Sequence, residues 1–272
     1  MVSAVTNPGA NTALQSLNKT NKALDHVQQK VNTGLRVSGP KDDPSTFQIA
    51  QRLLGDKGGY QADQIALSLG QAVVGTALSA GEGISELLTE IKGKVVQANQ
   101  AGLDPESQSA LNNDIQALVG QIGTIVGSAS FNGQNLIASG ATSFSVLSSV
   151  DGSTIAVSAA SLDATSLGLG GLSVVGSSGA AAALASINSA IPLASSRLSS
   201  LGSSAQAIQG QSEFNSKYTD ILSESIGTQV DADLAVEAAN LQALQVKQRL
   251  GGQALSIANS RPQSLLGLFG NG

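Results

Sequence analysis

The chain has 272 residues, a formal charge of −5, 12% charged positions, two tyrosines, five phenylalanines, one histidine, and neither cysteine nor tryptophan. That excludes disulfides, thiolate chemistry and cysteine-ligated metals. It also excludes a poly-histidine site and leaves no basic stripe for nucleic acid. An aromatic-rich core is ruled out too. Ala, Leu, Val and Ile supply the apolar content, which suits helix packed on helix.

Residues 1–9 read as irregular, with Asn7-Pro8-Gly9 as a stop. They lack the charged and apolar regions of a cleavable secretory signal, so an exported chain is expected to leave by another route. Residues 10–33 form the first helical pattern, ending at Gly34. Leu14, Leu17, Leu24 and Val31 make a thin apolar stripe broken by Asn21 and Gln28. A loop runs through Ser38-Gly39-Pro40-Lys41. Asp43-Pro44 then gives an N-cap followed by proline at the first helical position.

No proline occurs between Ser45 and Asp104. Ile65, Leu69, Val73, Ala80, Ile84, Leu88, Ile91 and Val95 recur there at helical spacing. Eight glycines from Gly55 to Gly93 interrupt the pattern. Each lowers helix stability by roughly 1 kcal/mol relative to Ala, so a long helix here depends on close packing. Asp104-Pro105-Glu106 repeats the cap signature, and Leu111, Ile115, Leu118, Ile122 and Ile125 carry a further amphipathic helix to about Ser128. Phe131-Asn132-Gly133 reads as a turn.

Alternating runs around Asp151-Gly152, with Phe144, Val146 and Val150 before it and Ile155 and Val157 after, predict a hairpin. Gly168 to Gly179 is expected to loop outward. Leu184, Ile187, Ile191, Ala194, Leu198, Leu201, Ala205 and Ile208 step by three and four as a heptad seam. Phe214, Tyr218 and Ile221 continue it after a phase shift. Pro192 should kink this helix or mark its start, and Gly227 suggests a joint. Leu234, Leu241, Leu244, Leu255 and Ala258 mark a last helix from about Asp233 to Asn259. No run of roughly 18 apolar residues predicts a membrane span. The expected fold is mainly α: an antiparallel helical bundle with a small β-hairpin, plus N- and C-terminal helices paired as a coiled coil.

Several segments, in order, resemble bacterial flagellin. They are Asn32-Thr-Gly-Leu-Arg-Val-Ser-Gly-Pro-Lys-Asp-Asp43, Phe47-Gln-Ile-Ala-Gln-Arg-Leu53, Phe131-Asn-Gly133 and Ile187-Asn-Ser-Ala-Ile191 through Arg197-Leu-Ser-Ser-Leu-Gly202. The strongest is Val230-Asp-Ala-Asp-Leu-Ala-Val-Glu-Ala-Ala-Asn-Leu241, continued by Gln253-Ala-Leu-Ser-Ile-Ala-Asn259 and Pro262-Gln-Ser-Leu-Leu-Gly-Leu268. The resemblance covers nearly all of the chain outside about 134–180. It implies a structural subunit that polymerises into the flagellar filament for swimming, with no enzymatic activity and no cofactor or metal. Residues 1–40 and 231–272 would be the two halves of an inner-tube coiled coil. Residues 41–230 would be the helical bundle, with the β element at about 134–180. The inner-tube interface would use Leu14, Leu17, Leu24, Val31, Leu234, Leu241, Leu244, Leu255 and Leu265. The bundle core would use Ile84, Leu88, Ile91, Leu111, Ile115, Leu118, Ile122, Leu184, Ile187, Ile191, Leu198, Leu201 and Ile208.

Implied partners are other flagellin subunits, hook-associated junction and cap proteins, the flagellar type III export apparatus and an export chaperone. Neither nucleic acid nor membrane is implied. The location would be the extracellular filament. A hook–filament junction protein is the nearest alternative, and a secreted effector or translocator acting at host membranes is a further one. Among individual residues, His26 is expected to be a solvated side chain and Asp42-Asp43 a helix-capping pair. Asp231, Asp233 and Glu237 are expected to start a helix.

Overall fold

The computed structural model describes residues 6–269, with side chains through residue 260. The elements are α1 (Pro8–Thr33), α2 (Pro44–Ala98), α3 (Pro105–Ser128), β1 (Phe144–Leu147), β2 (Thr154–Val157), α4 (Gly176–Val230) and α5 (Leu234–Phe269). The fold is the mainly helical one expected, with one small antiparallel hairpin. The chain forms two compact units, one from Met1–Gly55 with Ile221–Gly272 and the other from Asp56–Asp220. The divisions fall within α2 and α4.

In the second unit, α2 buries Asp63, Leu67, Gly70, Val74, Ala77, Gly81, Ile84, Leu88, Ile91, Val95 and Ala98. The steps alternate four and three without a break, which is a heptad seam. This corrects the start of the stripe read from apolar residues alone. Ile65 is 72% exposed and Leu69 is also exposed, because the seam there is held by an acid and a glycine. The seam of α4 likewise keeps its phase. After Ile208 it passes through buried Asn215 to Leu222 and Ile226, while Phe214 and Ile221 face outward. The expected phase shift followed the apolar residues off a seam that had become polar.

Pro192 neither starts nor ends α4, which is helical from Gly176. Pro192 and Asn188, whose carbonyl loses its helical donor, are both exposed. Water can therefore satisfy the freed carbonyl. Helix α2 runs antiparallel to α4, as Tyr60 against Tyr218 (ring centroids 4.7 Å apart) and Gln64 Nε2 donating to Ser212 Oγ require. It runs antiparallel to α3 through Lys94–Asp114 at 2.8 Å and Gly83 beside Ile125.

The hairpin pairs Phe144 with Val157 and Val146 with Ile155. A six-residue connection from Ser148 to Ser153 joins the strands, with Gly152 at φ +85°. The segment after it does not loop outward. Leu167, Leu169, Leu172 and Val174 are buried. Three amides one turn apart on α3 hold the end of it: Gln116 Nε2 donates to the Leu172 carbonyl, while Asn112 Oδ1 and Gln108 Oε1 accept from the Val174 and Gly176 amides. The glycine and serine content had hidden four alternate apolar anchors and this ladder.

Two of the eight α2 glycines are explained by this insert, and a third by the insert together with α4. Gly59, Gly70 and Gly81 are eleven residues apart, about three helical turns, so they line one face. A Cβ would lie 2.5 Å from a Val150 methyl at Gly59 and 2.5 Å from a Val146 methyl at Gly70. At Gly81 it would lie 2.8 Å from a Leu198 methyl and 3.1 Å from a Leu162 methyl. Gly75 has nothing within 4 Å. Gly70→Ala should therefore destabilise the protein by about 1–3 kcal/mol through overpacking. Gly75→Ala should stabilise it by about 0.5–1 kcal/mol. Urea unfolding followed by circular dichroism reads both.

Candidate assembly interface

Helix α1 begins two residues earlier than its apolar stripe indicates, because Asn7-Pro8 is a cap rather than a stop. The Asn7 side chain accepts from the Ala10 amide at 3.1 Å, and Pro8 occupies the first helical position. Gly34 ends the helix in the left-handed conformation, φ +73°, and its amide bonds to Lys30 O. Asp233 caps α5, its Oδ1 accepting from the Ala235 and Val236 amides at 3.0 and 3.1 Å. The helix then continues past Asn259 to Phe269.

The two helices lie antiparallel. Asn7 Nδ2 donates to Ala258 O at 2.7 Å, Gln248 Nε2 to Asn21 Oδ1 at 2.9 Å, and Lys30 pairs with Glu237 at 3.2 Å. Leu17 lies over Gly251, where a Cβ would come within 3.1 Å of its Cδ1. On α5 the half-buried positions are Glu237, Leu241, Leu244, Gln248, Gly251, Leu255 and Ala258. On α1 they include Ala10, Ala13, Leu17, Thr20, Val27 and Val31, and Leu24 is buried. Both sets step by three and four, the spacing of a coiled-coil seam. The seam is thin. Leu24 alone in these two helices falls in the buried class among the described residues, and three of its cross-links are polar.

Of the interface residues read from sequence, the structure brings together Leu17, Leu24, Val31, Leu241, Leu244 and Leu255. Leu14 lies off the seam and Leu234 sits in phase at its uncovered end, 45% and 51% exposed. The side chain of Leu265 lies outside the described residues. Sequence reading missed Ala10, Ala13 and Gly251, since small residues are weak signals until a partner is known. Among the bundle positions, Ile84, Leu88, Ile91, Ile115, Ile122, Ile187, Leu201 and Ile208 are buried. Leu111, Leu118, Leu184, Ile191 and Leu198 are partly buried against them.

Helix α5 has a second stripe. Val236, Ala239, Ala243, Val246, Leu250, Gln253 and Ile257 also alternate steps of three and four, and every one is exposed. An offset of two residues is about 200° around the helix. This stripe therefore faces away from α1 and stays exposed among the described residues.

A backbone joint ties the end of α1 to the start of α5. The Arg36 and Val37 amides donate to Val230 O at 2.7 and 3.3 Å, and the Ala232 amide to Gly34 O at 2.9 Å. Leu35 and Asp231 thus face each other as an antiparallel bridge. Val37, Ala50, Ile226 and Val230 form a small core beneath, with Leu35, Phe47 and Leu53 against it. Gly227 does not break α4. A Cβ there would come within 2.8 Å of an Asp231 carboxylate oxygen, so the glycine makes room for the joint.

The loop after the joint is closed by its two acids. Asp42 Oδ2 accepts from the Ser38 amide and hydroxyl, both at 2.9 Å, and from the Gly39 amide. Asp43 caps α2 through the Thr46 hydroxyl at 2.6 Å and the Ser45 and Thr46 amides. The hydroxyls of Ser38 and Thr46, then their amides, hold these carboxyls below the usual aspartate pKa. His26 is exposed.

A carboxylate whose folded pKa lies below its unfolded value stabilises the fold above the unfolded value. It loses that contribution as pH falls through the folded one. The loop should therefore stay closed at neutral pH and open below about pH 4. Hydrogen exchange of the Ser38, Gly39 and Thr46 amides, corrected for intrinsic rate, should show protection lost over that range. Asp42→Ala should lack the Ser38 and Gly39 protection even at pH 7.

Residues 5–142 match the family described as bacterial flagellin N-terminal helical region, and residues 184–269 match bacterial flagellin C-terminal helical region. Flagellin FljM of Caulobacter vibrioides is 39% identical over 265 residues, 97% of each chain. A flagellin of Brucella melitensis is 36% identical, covering 99% of each chain. A putative flagellar hook-associated protein from Vibrio parahaemolyticus shares the fold, with TM-score 0.58 at 14% identity, covering 70% of this chain and all of that one.

Proposed function

The chain belongs to the bacterial flagellin family, and from that premise we propose how it joins its neighbours. It is a structural subunit of the flagellar filament, the organelle of swimming motility, and not an enzyme. In our reading the paired helices α1 and α5 line the inner tube of that filament, and the bundle at 41–230 forms the layer around it. Residues 1–40 and 231–272 are then the two halves of one assembly domain.

One observation carries this reading: the bare heptad stripe from Val236 to Ile257. A helix with one apolar stripe is complete when a single partner covers it. Helix α5 has a covered stripe against α1 and a second one left in solvent. Such a surface is the mark of an association site, and in a helical polymer its partner is a terminal helix of the next subunit. Leu14 on α1 and Leu234 at the start of α5 are exposed as well, though Leu234 is in phase with the α1-facing seam rather than with the outward stripe. Side chains that contribute nothing to the isolated fold gain their burial on assembly.

The thinness of the α1–α5 seam fits the same role. An isolated helix pair with few apolar contacts is marginal in water. Ordering it costs roughly 1–2 kcal/mol of backbone entropy per residue, which neighbouring subunits offset. A subunit whose ends order only in the polymer can pass unfolded through a narrow channel. This supports export to the cell exterior by the flagellar type III apparatus with a dedicated chaperone. Junction and cap proteins would meet the two ends of the filament.

A triple change, Val246→Ser, Leu250→Ser and Ile257→Ser, separates assembly from folding. Because all three residues are exposed in the monomer, its stability should change by less than about 1 kcal/mol. Filament formation, followed by negative-stain electron microscopy, should fail. Removing residues 234–272 should also abolish filaments while leaving the helicity of the bundle unit largely intact by circular dichroism. Filaments of ordinary length from either variant would overturn the proposal.

A further inference from the structure

Asp63 sits in the α2 seam, 1% exposed, opposite Asn215 in the seam of α4, which is wholly buried. Neither carboxyl oxygen of Asp63 has a hydrogen-bond partner, and neither does Asn215 Nδ2 or Gln64 Oε1 beside them. Asn215 Oδ1 accepts from Gln211 Nε2 at 3.1 Å, and Gln211 also donates to Ser148 O of the hairpin connection at 2.8 Å. The two ion pairs among the described residues are Lys30–Glu237 and Lys94–Asp114, so Asp63 has no counter-ion. One turn before it on α2, Tyr60 is influenced by Tyr218 on α4, Asp151 in the hairpin connection, Asp56 and Asp63 itself. None of them is a cation at neutral pH. A buried carboxylate in such a place is costly unless it is paired.

We propose that the Asp63–Asn215 layer is a proton-dependent lock on the α2–α4 seam, closed when Asp63 carries a proton and loosened when it is ionised. A protonated carboxyl offers one donor and one acceptor, the complement of a primary amide. Its O–H can reach the second lone pair of Asn215 Oδ1, while its carbonyl accepts from Nδ2. Ionised, it keeps only acceptors, and the charge is buried without a cation. Desolvation accordingly pushes the Asp63 pKa up, with the neighbouring Asn215 amide opposing in part. A group whose folded pKa is raised adds stability that is complete below the unfolded value and is lost as pH rises through the folded one. This layer thus responds to acid with the opposite sign from the Asp42–Asp43 loop. It concerns the subunit's own bundle and holds whether or not the assembly reading does.

Asp63→Asn replaces the acid by a group that is neutral at every pH and still offers donor and acceptor. In the full-length monomer, Asp63→Asn should unfold at a higher urea concentration than wild type at pH 7. The difference should close by about pH 4, since the other titrating groups are common to both chains. A difference that is independent of pH, or a wild type more stable at pH 7, would overturn the proposal. If Asp63→Asn does not fold, the side-chain carbon resonance of Asp63 in the wild type decides. A midpoint above the ordinary aspartate range supports the lock, and one at or below that range sinks it.

Discussion

Antiparallel helices joined only by side chains can slide by a heptad at little cost. Helices that leave a backbone-bonded joint cannot. In this protein the amides of Arg36, Val37 and Ala232 bond the carbonyls of Val230 and Gly34, so the register of α1 against α5 is set before any side chain meets. Everything along the terminal pair follows from that origin. Lys30 arrives opposite Glu237, Asn21 opposite Gln248, Leu17 over Gly251 and Asn7 beside Ala258. Polar rungs and a glycine suffice there because the joint has already done the aligning.

The same economy shapes the bundle. Its seam is unbroken in phase along α2 and α4, but its occupants change from branched apolar residues to Asp63, Asn215 and glycine. Where the occupants are small, the hairpin and the following segment fill the space, with Val146 against Gly70 and Leu162 against Gly81. Where they are polar, the seam holds a carboxyl with no counter-ion among the described residues. Stability is therefore uneven along the molecule. It is greatest around Ile84, Leu88, Ile91, Ile115 and Ile187, which are fully buried, and least along the terminal pair.

That unevenness is what the proposed assembly asks of a subunit, a firm centre and ends completed by neighbours. On the proposed assembly, the second stripe on α5, at least as apolar as the first, is what a neighbouring subunit would bury. Too strong a stripe would drive the ends to pair wrongly before they met their neighbours. Alanine at positions 239 and 243 and glutamine at 253 keep it moderate.

How much was legible beforehand depends on what kind of residue carried the signal. The Asp-Pro caps and the terminal Gly34 were readable, because they act on their own backbone, whereas the Asn7-Pro8 cap reads equally as a stop. Long helices were readable wherever Ile and Leu recur. The start of the α2 stripe, the supposed phase shift in α4 and the supposed outward loop were misread for one shared reason. At those places the buried positions belong to Asp63, Gly70, Asn215 and a Gly/Ser segment, whose burial has no local cause.

The sequence by itself determined the helical class, the helix boundaries marked by caps, the hairpin and the resemblance of both ends to flagellin. All of these rest on interactions between residues close in the chain or on the order of motifs along it. Only the tertiary structure decided which leucines face α1 and which stay exposed. It likewise decided which glycines make room for a valine, and that an aspartate and an asparagine 152 positions apart share one buried layer. Those outcomes depend on which surface a partner helix covers. A periodic stripe states that a face will be buried, but not what will bury it.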